Sequence, residues 1–118
     1  MTGKLQIRRV YDTPDKADGQ RILVDRLWPR GLSKDKAHID HWIKEIAPSD
    51  VLRRWFGHDP EKWVEFSRRY AEELKGNGEA VAALRSAIGG KKTTLLYAAH
   101  DTEHNNAVAL RDFLASTE

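Results

Sequence analysis

The residues of this sequence best suited to chemistry are polar side chains that follow three short apolar runs. Together they offer carboxyl, guanidinium, imidazole, phenol, indole and carboxamide groups, which can bind an anion or transfer a proton. Arginine recognises phosphate and carboxylate through paired hydrogen bonds, and histidine titrates near neutral pH. In chain order these residues are Tyr11, Asp25, Arg26, Trp28, Arg30, His100, His104, Asn105 and Asn106.

Three segments with the composition of β-strands must position these side chains. Residues 4–10 alternate apolar and polar side chains, which predicts a strand with one solvated face. Residues 21–27 and 93–99 contain apolar runs typical of strands buried on both faces. The connection between the first two strands is short for a parallel crossover. The sequence therefore leaves both a parallel arrangement and a hairpin open for the first strand.

Apolar residues at helical spacing, with capping residues at their ends, predict five helices. The first is expected between Ser33 and Pro48, with Ile39, Trp42, Ile43 and Ile46 on its apolar face. The others are expected at residues 50–56, 60–75 and 79–88, and from the loop after the last strand to about Leu114.

Strands near both ends of the chain, with helices between them, predict an α/β fold in one domain spanning residues 1–118. We expect a small, mainly parallel sheet of about three strands with helices on both faces. Ligands of such sheets bind beyond the carboxyl ends of the strands. If the strands are parallel, Arg26, Arg30 and the N-terminus of the last helix meet at one rim and form an anion site.

Trp28 and Asp25 each have a functional and a structural interpretation. Trp28 could stack on a planar ligand, or it could cover the edge of the core. Asp25 could orient an arginine or act as a general base, which makes it a candidate catalytic residue. Its structural alternative is an internal ion pair with Arg26 that pins the loop.

The histidines have similar alternatives. His104 is a candidate acid–base residue, or it caps the last helix together with Asn105. His100 and His104 are four residues apart, which suits a metal on a helix. Because His100 follows a strand, no metal site is predicted. His58 lies in a loop that could reach the rim, so it is a candidate ligand-binding residue.

Composition limits the function classes. The chain has 118 residues, a formal net charge of +2 and no cysteine. The lack of cysteine excludes disulfides and a thiolate nucleophile, and we expect a cytoplasmic protein. No apolar run approaches the ~20 residues that span a bilayer, so no membrane partner is expected. The sequence leaves any cofactor and the oligomeric state unknown.

Residues 23–31, 55–60, 95–99 and 103–107 resemble segments of a known bacterial family, the YeaO-like branch of the domain of unknown function 488 (DUF488) proteins. The resemblance extends from about Ile7 to Leu114. It implies a small α/β fold and a cytoplasmic protein, and it implies no established activity.

The resemblance also points to the loop after the last strand as a site. Other branches carry a Cys-His-Arg sequence where this chain has His104, Asn105 and Asn106, so cysteine-based covalent chemistry is excluded here. The resemblance therefore implies a site that keeps its ligand-binding residues and lacks the cysteine. The residues implied are Asp25, Arg26, Trp28, Arg30, His58, His104, Asn105 and Asn106.

Three functional hypotheses follow. The first is binding of a small phosphate-bearing ligand, such as a nucleotide, at the rim, with enzymatic turnover by Asp25 or His104 left open. The second is a nucleic-acid-binding or regulatory module, based on basic doublets such as Arg53-Arg54, each of which has acids nearby. The third is a protein-interaction module with an aromatic patch that includes Trp42.

Overall fold

The structure is a computed structural model that describes residues 5–117 and contains a four-stranded parallel sheet. The strand order is β1-β4-β2-β3, and each neighbouring pair is parallel. The α/β prediction is confirmed, and the hairpin alternative for the first strand is wrong. Residue 4 of that predicted strand lies outside the described residues. The strands are β1 (Leu5–Arg9), β2 (Gln20–Leu23), β3 (His41–Trp42) and β4 (Thr93–Tyr97).

Helices form most of the remaining structure. No helix within residues 5–117 is both long and apolar enough to cross a bilayer. Short 3₁₀ turns lie at Lys16–Asp18, Lys44–Ile46 and Pro60–Lys62. The α-helices are α1 (Lys34–Ala37), α2 (Asp50–Phe56), α3 (Trp63–Lys75), α4 (Gly78–Ile88) and α5 (Asn106–Ser116).

The helix predicted between residues 33 and 48 is wrong over most of its length. The helical turn α1 ends at His38, whose φ of 50° is left-handed and stops the helix. Asp40 then hydrogen-bonds to Arg21 of β2 through both its backbone N–H and its side chain. The free edge of β2 therefore takes up this segment as strand β3, which satisfies the backbone groups that a helix would have paired.

Alternating side chains of the sheet bury apolar residues on both faces. Ile22 and Leu95 belong to the larger core, which α2, α3, α4 and α5 cover. Leu23 and Leu96 belong to a smaller core on the opposite face. There the partly buried Trp28, Leu32 and Ile39, from the chain after β2, pack against it, and Arg21 on the same face donates to the carbonyl oxygen of Ala37 in α1. The prediction of helices on both faces of the sheet is thus confirmed, with four helices on one face and only the short α1 on the other within the described residues.

A buried ion pair lies beside the smaller core. Asp18 and Arg21 are 1% and 4% exposed, and Asp18 accepts hydrogen bonds from Arg21 and from Arg8. Thr94 of β4 donates to the backbone oxygen of Asp18 at 2.7 Å. Burial by itself would raise the pKa of Asp18, but hydrogen bonds from Arg8, the Asp15 N–H and Arg21 outweigh it and lower the pKa. The Asp18 carboxylate therefore ties the turn before β2 to β1 and β2, and the Asp18 backbone oxygen ties the same turn to β4.

We expect Asp18→Asn to lower the free energy of unfolding by about 3 kcal/mol at neutral pH, because it leaves buried Arg21 without its counter-ion. Urea unfolding measures this change. The folded-state pKa of Asp18 lies below its unfolded value, so the stabilisation is present at neutral pH and is lost as the pH falls through the folded-state pKa. The control is Asp112→Asn on the exposed side of α5. Equal stability of the two variants would contradict the prediction.

Candidate functional site

A cleft of about 840 Å³ opens beyond the carboxyl ends of β2 and β4. The two strands pair in parallel as far as Leu23 and Leu96, so the loops that follow them leave the sheet side by side. The loop after β2 forms one wall, the α2 region forms another, and the loop between β4 and α5 forms a third. The volume is in the range of small-molecule sites, about 300–1,000 Å³.

The cleft collects every candidate site residue from the sequence except His104. The residues that line it from that set are Tyr11, Asp25, Arg26, Trp28, Arg30, His58, His100, Asn105 and Asn106. Arg53 and Arg54 of α2 also line it. Sequence reasoning noted these two arginines only as a basic doublet for nucleic acid. It did not assign them to the rim, because local spacing does not determine which side of α2 faces the sheet.

Asp25 joins two walls of the cleft, the loop after β2 and the loop between β4 and α5. Its Oδ2 accepts from the Ala98 N–H at 2.9 Å, and its Oδ1 accepts from Asn106 Nδ2 at 3.0 Å. Burial raises the pKa of Asp25, although the hydrogen bonds from Asn106 and Ala98 and the charge of Arg53 act in the opposite direction. No ion pair joins Asp25 to Arg26 anywhere in the described chain, so that structural alternative is wrong.

Positive charge dominates the lining of the cleft. Four arginines and two aspartates line it, which gives a formal charge of +2 with the histidines neutral. The arginines come from two separate elements, the loop after β2 and helix α2, so their charges converge only in the folded chain. These residues are Arg26, Arg30, Arg53, Arg54, Asp25 and Asp101.

Arg26 carries a donor with no acceptor. Its Nε is buried and forms no hydrogen bond within residues 5–117. The nearest carboxylate oxygen in an ion pair is Asp50 Oδ1, at 3.9 Å, which is too far for a hydrogen bond. Because a buried donor without a partner is costly, a ligand acceptor at this position would remove a penalty that the free protein carries.

Aromatic side chains fix the loop that carries Arg26 and Arg30. Trp28 Nε1 donates to the Leu32 carbonyl at 2.6 Å, and its ring packs on the smaller core. Trp42 Nε1 donates to the Asp25 carbonyl at 2.8 Å. Tyr11 donates from its hydroxyl to the Arg30 carbonyl at 2.9 Å. These contacts give Trp28 and Tyr11 a structural role in the cleft wall.

The histidines divide between the cleft and its surroundings. His58 and His100 line the cleft, and His58 has a left-handed φ of 57°, which is uncommon for a residue other than glycine. The ring of His104 lies outside the lining. Its Nδ1 is 2.9 Å from Asp101 Oδ2, and its ring meets Trp63 edge-on. The acid–base role of His104 stays a prediction from the sequence.

Asn105 has a structural role at the start of α5. Asn105 caps α5, since its Oδ1 accepts from the Val108 N–H at 3.0 Å, so the capping interpretation holds for Asn105. Its Nδ2 donates to the Asp101 carbonyl. No group of three histidine or acidic side chains among residues 5–117 is arranged to hold a metal ion.

Comparison with known proteins identifies the family. Residues 4–117 match a family model described as the inactive DUF488-N3 subclade. The chain belongs to the DUF488 family. This DUF488 protein is 41% identical to the uncharacterized protein YeaO of Escherichia coli, over 95% of this chain and 97% of the relative. It is 40% identical to uncharacterized proteins of Mycobacterium tuberculosis and Mycobacterium bovis, over 94% of this chain and 93% of each relative. No solved structure matches it.

We expect Asn106→Ala to raise the pKa of Asp25 further, because it removes the donor to Oδ1 that opposes the effect of burial. A carbon-13 NMR titration of the Asp25 carboxyl group measures this pKa in both proteins. The matched control is Asn77→Ala, which removes a carboxamide donor to the Glu45 carbonyl, outside the cleft. An unchanged Asp25 pKa in Asn106→Ala would show that the contact does not influence its charge.

Proposed function

We propose that this DUF488 protein binds a small anion carrying a phosphate group in the cleft beyond β2 and β4. The observation that carries the proposal is the convergence of four arginines on one cleft, one of them with a buried and unpartnered Nε. Guanidinium groups match the geometry of phosphate oxygens and donate paired hydrogen bonds to them. Bound phosphate would supply the acceptor that Arg26 lacks.

The shape of the site favours a small ligand over nucleic acid. The arginines face a concave cleft, whereas a duplex requires an extended basic surface. Several arginines elsewhere have acidic partners: Glu65 accepts from both Arg68 and Arg69, and Asp18 accepts from Arg8. Apolar residues such as Leu27 and Pro29 also line the cleft and suit the organic part of a phosphate ester, for example a nucleotide.

We propose that the protein binds this ligand without catalysing a reaction on it. The family model is described as inactive, and the chain has no cysteine to act as a nucleophile. Of the two residues predicted from the sequence as acid–base groups, Asp25 lines the cleft and His104 does not. A cytoplasmic location is also part of the proposal, because the chain cannot form the disulfides typical of small secreted domains.

We expect Arg26→Ala and Arg30→Ala each to weaken the binding of inorganic phosphate by about tenfold, since each removes charge-assisted hydrogen bonds. Isothermal titration calorimetry measures the affinity. Arg111→Ala, which removes an arginine of α5 outside the cleft, is the control.

Melting temperatures of the ligand-free variants separate a binding role from a structural one. Cleft variants that melt like the wild type but bind phosphate weakly support the proposal. Wild-type protein that fails to bind phosphate contradicts it. Salt-sensitive binding to DNA or RNA in that case favours the nucleic-acid hypothesis.

A further inference from the structure

We infer that Asp50 is an internal competitor for the cleft arginines: its carboxylate is hydrogen-bonded to Arg53 and lies beside Arg26, and a ligand must displace it to bind these two arginines fully. The inference rests on the proposed function. The ligand class that we infer is a doubly charged phosphate monoester, because the arginines and aspartates that line the cleft carry a formal charge of +2 once Asp50 is displaced.

The geometry places Asp50 between two walls of the cleft. Asp50 is the first residue of α2, and its Oδ1 accepts from Arg53 Nη2 at 2.7 Å. The same oxygen lies 3.9 Å from Arg26 Nε, on the loop after β2. Both arginines line the cleft, whereas Asp50 does not. One carboxylate oxygen thus lies close to guanidinium groups from two separate elements.

The negative charge of Asp50 interacts with three of the four cleft arginines. The hydrogen bond from Arg53 lowers the pKa of Asp50, and the positive charges of Arg53, Arg26 and Arg54 lower it further. The carboxylate is therefore ionised at neutral pH, and three of the four cleft arginines contribute to that state.

Displacement of Asp50 would cost little. Its side chain is 53% exposed, so after release from the arginines the carboxylate would remain in water with little change in hydration. The arginines and aspartates that line the cleft would then present a formal charge of +2 to the ligand. A phosphate monoester, which carries nearly two negative charges at neutral pH, matches this charge. A phosphodiester or a carboxylate carries one.

The competing explanation is that Asp50 has a purely structural role in α2. Glu65 occupies a similar position in α3 and serves as the comparison. Acidic residues in the first turn of a helix stabilise it through the helix dipole and through arginines three or four residues later. Glu65 in the first turn of α3 accepts from Arg68 and Arg69 in this way, outside the cleft. Asp50→Asn and Glu65→Gln therefore remove the same kind of local interaction and the same charge, and only the first removes a contact with cleft arginines.

The test measures the affinities of inorganic phosphate and dimethyl phosphate for the wild type, Asp50→Asn and Glu65→Gln by calorimetry. At about pH 8 these probes carry nearly two charges and one charge respectively. We expect Asp50→Asn to bind both probes about two- to fivefold more tightly, by the same factor, because removing a competitor helps every ligand equally. Glu65→Gln should bind them like the wild type.

Each other outcome identifies a different failure. If Asp50→Asn behaves like Glu65→Gln, or binds phosphate more weakly, the competitor role is overturned while the proposed function stands. A gain that is larger for the doubly charged probe would mean that Asp50 repels ligands without being displaced, which also overturns the inference. If none of the three proteins binds phosphate, the proposed function and the inference both fail.

Discussion

The hydrogen bond from the Ala98 N–H to Asp25 Oδ2 joins the carboxyl ends of β2 and β4, and the cleft depends on it. Asp25 Oδ1 accepts from Asn106 at the start of α5. The backbone carbonyl of Asp25 accepts from the indole N–H of Trp42 in β3. A partly buried carboxylate is unfavourable unless donors compensate for lost hydration. The donors to the carboxylate come from the end of β4 and the start of α5, so the contacts that stabilise the charge also set the positions of two cleft walls.

The arginines of the molecule divide into two groups that differ in their partners. Arg21 is buried and bonded to Asp18, and Arg68 is bonded to Glu65. Arg26 has a buried Nε without an acceptor, and it shares the partly exposed Asp50 with Arg53. Guanidinium groups held close together without full compensation repel each other, and this repulsion is relieved when an anion binds. The uneven pairing of charge is therefore the physical basis for the anion binding that we propose at the rim.

The sequence predicts the fold well where a regular pattern extends over several residues. The apolar runs of β2 and β4 and the caps at Ser49 and Asn105 correspond to the structure. The alternation in residues 4–10 correctly predicts strand β1, but all five residues of β1 are half-buried, so the predicted solvated face is wrong. Strand β3 was missed because a two-residue edge strand has no period, and its neighbours happen to have helical spacing. Arg53 and Arg54 were missed for a different reason. The orientation of α2 depends on packing against distant parts of the chain, which local spacing does not encode.

The most direct test of anion binding by the cleft arginines is an NMR titration of arginine Nε–Hε resonances with inorganic phosphate. Each arginine side chain gives its own signal, so the measurement locates the bound anion as well as detecting it. The account predicts saturable shifts at the cleft arginines, with Arg26 the largest because its Nε gains its first acceptor. Shifts that instead occur at Arg68 and Arg111, or the absence of any saturable shift, would contradict it.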